Sequence, residues 1–177
     1  MDKIYDVIIL GAGPGGLAAG IYAGRARLDT LLIEKGKDGG QIAITDEIEN
    51  YPGQMVDGES GPSLIERMTK QVEKFGAERV SDTIVSVDIE GPVKTLVGSN
   101  GTYKARTLII ATGAFPRPIG CKGEGEFMGK GVSYCATCDA SFFEDLEVFV
   151  VGGGDSAVEE AMYPVSYTHL RAHETDS

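Results

Sequence analysis

Cationic side chains are scarce in this chain. Lysine and arginine number 16 against 27 acids, a formal net charge of −11. No basic block or helical basic stripe offsets that balance. A nucleic-acid surface, which draws on clustered cations to neutralise phosphates, is therefore not expected. Long apolar runs are missing too: "YDVIILGAG" near the start is far too short, and too bounded by glycine, to span a bilayer. Met1-Asp2-Lys3 lacks the basic opening of a secretory signal, so a cytoplasmic protein with no membrane attachment is expected. Cysteine occurs three times in 177 residues, too rarely for a disulfide framework of the secreted kind. Both histidines, His169 and His173, fall close to the end of the sequence. No second ligand pair is then at hand for a zinc site around the cysteines, and no metal is expected.

What is present reads as a globular α/β protein, 42% apolar and 24% charged, with 25 glycines falling at turns rather than in low-complexity runs. Residues 4–10 form a continuous apolar run, the pattern of a parallel strand covered on both faces. A small-residue helix over 14–27 and a second apolar strand, "TLLIEK" (30–35), complete a right-handed βαβ unit. The aperiodic stretch 36–61 reads as a long loop, which in a compact domain is more often functional than idle. Pro62 opens an amphipathic helix reaching Phe75. "TIVSVDIE", "VKTLVGS" and "TYKARTLIIAT" then predict a β-meander, with Asn100-Gly101 as a two-residue hairpin signal. The proline- and glycine-rich stretch 115–131 reads as a linker between domains. Beyond it come a cysteine pair, a strand at 147–151, a glycine turn and a helix from about Asp155.

Three motifs carry chemistry. Gly11-Ala12-Gly13-Pro14-Gly15-Gly16 is a G-x-G-x-x-G between strand and helix. Gly11 permits the turn, Gly13 lets a pyrophosphate approach the backbone, and Gly16 lets helix and strand pack closely. The helix start offers free N–H groups to phosphates. Glu34, ending the next strand, is placed to accept hydrogen bonds from an adenosine ribose. Gly152-Gly153-Gly154-Asp155-Ser156-Ala157 repeats the device as G-x-G-x-x-A. Between them stands Cys135-Ala136-Thr137-Cys138-Asp139. Zinc would need further ligands, and a structural bridge over so short a loop would restrict the unfolded chain little. A redox dithiol is the remaining choice, with Asp139 beside it to hold or relay a proton. Cys121, alone in the glycine-rich linker, reads as structural or idle. Two dinucleotide turns flanking one dithiol suggest a short electron path, with a flavin in the middle position.

Taken in order, "GAGPGGLAAGIYAGRA", "GGQI" followed by "ENYPG", "IIATGA", "CATCD" and "GGGDSAVEEA" resemble the low-molecular-weight thioredoxin reductases over about residues 1–162. The resemblance implies a Rossmann-like FAD-binding unit of parallel sheet, helices and β-meander, and the start of a second, NAD(P)-binding Rossmann unit. It divides the chain into 1–114 (FAD-binding part), 115–131 (crossover) and 132–163 (start of the NAD(P)-binding part carrying the dithiol). It implies that Gly11, Gly13, Gly16 and Glu34 hold the FAD pyrophosphate and ribose. Gly40, Gln41 and Asn50 would line the flavin side, and Ala111, Thr112 and Gly113 would close over the cofactor. Gly152, Gly154 and Ala157 would begin an NADPH site. Cys138 would be the flavin-proximal sulfur, Cys135 the one that attacks thioredoxin, and Asp139 the acid. The family implies a homodimer whose domains rotate so that the dithiol alternates between flavin and thioredoxin. Ferredoxin-fed and peroxiredoxin-reducing flavoproteins resemble the chain as well, and a non-catalytic nucleotide-binding fragment is a further alternative.

After Met162 the pattern departs from that family. Pro164 interrupts the helix, and "VSYTHLRAHET" looks like the translation of a transposase sequencing adapter. Residues 164–177 are therefore expected to be foreign to the fold, and the chain to lack the later strands of both domains. As written, it is expected to bind FAD weakly or not at all and to turn over nothing.

Overall fold

A computed structural model describes residues 3–55 and 57–163, and the backbone of 169–173. The chain divides into two compact units, Met1–Phe115 and Pro116–Ser177.

The first unit is built on one six-stranded sheet. Strands β1 (Ile4–Leu10), β2 (Thr30–Glu34), β3 (Glu78–Ser81), β4 (Ile84–Asp88), β5 (Lys94–Gly98) and β6 (Thr102–Ile110) lie in the order β3-β2-β1-β6-β5-β4. The four strands β3, β2, β1 and β6 run parallel, while β5 and β4 are added antiparallel beyond β6. The central strand β1 holds β2 on one side (Ile8↔Leu31) and β6 on the other (Ile8↔Leu108). From Val7 onward this strand is covered on both faces, which is why residues 7–10 are an unbroken apolar run rather than an alternation.

Helices α1 (Pro14–Arg25) and α2 (Gly61–Lys74) pack on one face, where Val7, Ile9, Leu17, Leu32, Leu64 and Val72 form a buried cluster. On the other, Ile8, Leu31 and Ile33 pack with Leu96 and Ala105 of the meander. The small residues of α1 have a steric cause. Glycines 16, 20 and 24 recur every four residues and so share a face. A Cβ at Gly20 would come within 3.2 Å of Val72, and one at Gly24 within 2.7 Å of the Phe75 carbonyl oxygen. The helix is poor in intrinsic propensity and is held by this close approach to α2. Ser60 caps α2 by accepting the Ser63 N–H at 3.3 Å, and Pro62 sits in the first turn, where it has no hydrogen bond to lose.

Four details differ from the sequence-based expectation. Helix α1 stops at Arg25, and Arg27 turns left-handed at φ 60° to lead into β2. The loop after β2 contains a 3-10 turn, Gly40–Ile44, and a bridge pairing Ile48 with Glu59. Strand β3, "ERVS", was not foreseen, because an edge strand that is mostly exposed has no apolar signature. The hairpin between β5 and β6 turns at Ser99-Asn100, since the Gly98 N–H donates to the Gly101 carbonyl at 2.7 Å.

That hairpin is pinned by a buried carboxylate. Asp82 is 3% exposed and accepts the Thr83 N–H at 2.7 Å, the Asn100 N–H at 3.1 Å and the Tyr103 hydroxyl at 2.8 Å.

The second unit places a four-residue helix α3 (Ala136–Asp139) before strand β7 (Glu147–Val151) and helix α4 (Asp155–Met162). Within 164–177, read from sequence as foreign to the fold, the backbone of His169–His173 forms strand β8, paired in parallel with β7. The Pro164 break and the rest of that stretch lie outside the described residues.

Burial opposes the charge on Asp82, but hydrogen bonds from Tyr103 and from the backbone of Asn100, Thr83 and Ser99 outweigh it and hold the carboxyl below its ordinary 3.8. With the folded value depressed, the stabilisation is complete above 3.8 and is lost as pH falls through the folded value. Tyr103→Phe should therefore lower the urea midpoint at neutral pH, and the gap from the parent should narrow steadily once the pH drops below 3.8. A gap independent of pH would refute this role for Asp82.

Candidate active site

At the carboxyl end of β1 the chain turns through Gly11 at φ 108° into α1. The turn is made of backbone touching backbone. A Cβ on Gly16 would lie 1.8 Å from the Gly11 carbonyl oxygen, and one on Gly11 would lie 2.3 Å from the Ala111 carbonyl oxygen. No side chain fits at either point. Gly13 and Gly15 differ: nothing lies within 4 Å of where their Cβ atoms would be. Open space there lies over a helix start with no side-chain cap, where the first-turn N–H groups have no intrahelical acceptor. That is the cradle an anion such as a pyrophosphate requires.

Three segments converge on this turn. Glu34 accepts the Ala12 N–H at 2.9 Å through Oε2 and the Gly36 N–H at 3.1 Å through Oε1. Gly39 donates to the Ala12 carbonyl at 2.8 Å, and a Cβ on Gly40 would meet the Gly13 Cα at 3.8 Å. Ala111 donates to the Leu10 carbonyl at 2.8 Å, carrying Thr112 and Gly113 past the same end of the sheet. Gln41 Nε2 reaches the Ala114 carbonyl oxygen at 3.5 Å, tying the second segment to the third. Asn50 is exposed in the loop beyond the 3-10 turn.

That loop has its own anchor, which sequence inspection missed. Gly61 permits the 3-10 turn to lie on the start of α2, since a Cβ there would come 1.7 Å from the Ile42 carbonyl oxygen. Glu59 is buried and accepts Arg67 Nε at 2.8 Å, Arg67 Nη2, and Ser63 Oγ at 3.0 Å. The Arg67 guanidinium outweighs the cost of burial and keeps the Glu59 carboxyl below its usual range.

In the second unit Cys135 and Cys138 are joined by a disulfide, their Cα atoms 5.3 Å apart. Both ends of α3 carry a sulfur, because Cys138 and Asp139 donate their N–H groups back to the Cys135 carbonyl at 3.2 and 3.1 Å. Cys138 is exposed and Cys135 half-buried. Thr137 Oγ1 lies 3.3 Å from Cys135 Sγ. Glu160 of α4 accepts the Ala136 N–H, and Ser133 donates to Asp139. A cleft of about 630 Å³ is lined by Cys135, Asp139, Ser156, Ala157 and Glu160, so the first cysteine of the pair shares one hollow with the helix that follows the second glycine turn. There Gly152, at φ 139°, would place a Cβ 3.0 Å from the Ala157 Cβ, while Gly153 and Gly154 are open.

Ahead of the dithiol, buried Glu124 accepts the N–H groups of Ile119 and Gly120 at 2.9 and 2.7 Å and the Tyr134 hydroxyl. The Tyr134 hydroxyl, then the Ile119 N–H, hold the Glu124 carboxyl down against the opposing effect of burial. Ser133, Glu124 and Tyr134 had no sequence signal, because isolated polar residues in irregular chain carry no period. Cys121 is exposed and unbridged. Among the described residues no group of three or more His, Cys, Asp or Glu side chains converges as a metal site.

The family described as pyridine nucleotide-disulphide oxidoreductase matches residues 5–173, and this chain belongs to it. A thioredoxin reductase from Peptoclostridium litorale is 58% identical over 178 residues, covering 97% of this chain and 56% of that protein. The crystal structure of thioredoxin reductase from Streptococcus pyogenes MGAS5005 superposes with a TM-score of 0.91 at 43% identity, covering 97% of this chain and 56% of that one. A glucosaminate ammonia-lyase from Pseudomonas fluorescens is also 52% identical over 157 residues, covering 89% of this chain and 49% of that protein. The chain thus spans about half the length of the curated relatives it matches. The fold is the α/β, parallel-sheet Rossmann-like architecture of this family.

The two kinds of glycine separate cleanly by experiment. Gly16→Ala should cost about 3 kcal/mol or more, because the obstructing atom is backbone and cannot rotate away. Gly13→Ala should cost no more than the ~1 kcal/mol of a poorer helix cap. Urea midpoints of the two variants measure both; equal losses would contradict the backbone packing described.

Proposed function

We propose that the protein is a flavoprotein disulfide oxidoreductase that passes electrons from NADPH through FAD to the Cys135/Cys138 pair and on to a thioredoxin. The observation that carries this reading is the bridged Cys-x-x-Cys, whose Cys135 lines one cleft with Ser156 and Ala157 of the helix that follows the second glycine turn. Fold alone would not carry it, since a relative named for a lyase shares the architecture.

The first glycine turn fits FAD. The open space at Gly13 and Gly15 and the first-turn N–H groups of α1 would hold the pyrophosphate, and the remaining lone pairs of Glu34 would accept the ribose hydroxyls. Gly40, Gln41 and Asn50 would lie along the flavin side, with Ala111, Thr112 and Gly113 over the cofactor. Gly152, Gly154 and Ala157 would start the NADPH site. When bound, FAD supplies hydride acceptance from a nicotinamide and an electron pair for a disulfide.

The chain's own residues do the rest. On reduction the bond between Cys135 and Cys138 breaks, and two electrons and two protons are taken up as two thiols. Asp139, at the end of α3, is the acid that serves the departing sulfur. Cys135 then attacks the thioredoxin disulfide to form a mixed disulfide. Cys138 displaces thioredoxin from it and closes the bridge again, leaving the partner with two thiols. The assignment of Cys138 to the flavin side follows the order of the family motifs. On the same reading the whole protein is a cytoplasmic homodimer, residues 1–114 and 132–163 serve FAD and NADPH respectively, and 115–131 is the crossover. Among the described residues no helix is long and apolar enough to cross a membrane.

The test uses the whole protein purified with its flavin. Cys138→Ser should retain the flavin absorbance and lose about 10³-fold or more of NADPH-dependent thioredoxin reduction. Turnover surviving in that variant would exclude the dithiol from the electron path.

A further inference from the structure

Ser133 has no part in the reading above, yet its hydroxyl lies at the centre of the dithiol segment. Its Oγ accepts the Cys135 N–H at 3.0 Å, lies 3.3 Å from the Cys135 carbonyl oxygen, and donates to Asp139 Oδ2. A hydroxyl has one proton to give, and of the two oxygens it faces the nearer, that of Asp139, is the stronger claimant. The bond to the Cys135 N–H, two residues on, is ordinary local turn chemistry. The bond to Asp139, six residues on and across α3, is not. It joins the backbone of the first cysteine to the acid beside the second.

We propose that Ser133 is a positioning residue for the dithiol: its hydroxyl holds the Asp139 carboxyl against the Cys135–Cys138 turn, in place to protonate the departing sulfur. This rests on the reading of Asp139 as the acid. Glu160 contributes to the same rigidity by holding the Ala136 N–H. Displacing a proton donor by a fraction of its reach slows transfer without removing it, so the loss through Ser133 must be smaller than the loss of Asp139 itself.

Reduction of the bridge in the 177-residue chain by a neutral phosphine, tris(hydroxypropyl)phosphine, tests this without any cofactor. The phosphorus lone pair forms a P–S bond as the S–S bond breaks, and the departing sulfur is protonated. Water then displaces the second sulfur, yielding phosphine oxide and the second thiol. A neutral reductant brings no charge of its own into the comparison. Asp139→Asn should slow reduction by about 30-fold and Ser133→Ala by about 5-fold. Ser133→Thr should restore the parent rate, and its isostere Ser133→Val should match alanine. In the double variant Ser133→Ala/Asp139→Asn the rate should equal that of Asp139→Asn alone, because Ser133 acts only through the acid. A Ser133→Val rate equal to that of Ser133→Thr, or losses that multiply in the double variant, would overturn the proposal. Asp139→Asn reduced at the parent rate would instead overturn the acid reading beneath it.

Discussion

The carbonyl oxygen of Gly11 occupies the place where a side chain at residue 16 would begin, and the arrangement of the first unit follows from that contact. It lets α1 start directly over the end of β1 and brings the Ala111 backbone against the same turn. Glu34 through its carboxylate and Gly39 through its N–H bond to the Ala12 backbone, and Ala111 donates to the Leu10 carbonyl, so main chain and one carboxylate hold the turn. A site of this kind is stiff, and its open face, at Gly13 and Gly15, is left clear for a ligand.

The second unit repeats the glycine turn but adds chemistry of its own. Its defining feature is the one-turn helix α3, which carries a sulfur at each end and is tethered by groups from three directions: Ser133 before it, Thr137 within it and Glu160 from α4. The buried Glu124–Tyr134 contact anchors the incoming chain one residue ahead of Cys135. Relatives named thioredoxin reductase and glucosaminate ammonia-lyase share the architecture, so the fold does not choose the reaction.

Much of the first unit was legible because burial on both faces writes itself as an apolar run. Strands β1 and β2 could be located that way, while both glycine turns and the cysteine pair were located by the spacing of their own residues. What escaped had no periodic signature. Strand β3 is a mostly exposed edge strand whose partner β2 supplies the reason for its extension. The hairpin turn fell one residue earlier than its Asn-Gly dipeptide implied, because Asp82 takes the Asn100 N–H and fixes the turn from outside the hairpin. The backbone of His169–His173 pairs with β7, although its sequence belongs to a stretch that reads as foreign to the fold.

Residue order by itself determined the βαβ unit, the two phosphate-type turns, the meander and the Cys-x-x-Cys, since each is a local pattern whose physics acts within a few residues. Tertiary structure alone decided that Gly40, Glu34 and Ala111 meet at one turn, that Glu59 and Asp82 are buried and satisfied, and that Ser133 and Glu160 brace the dithiol. Those contacts join residues distant in the chain or lying in irregular loops. Their energies come from desolvation and hydrogen-bond geometry, which exist only once the chain has folded.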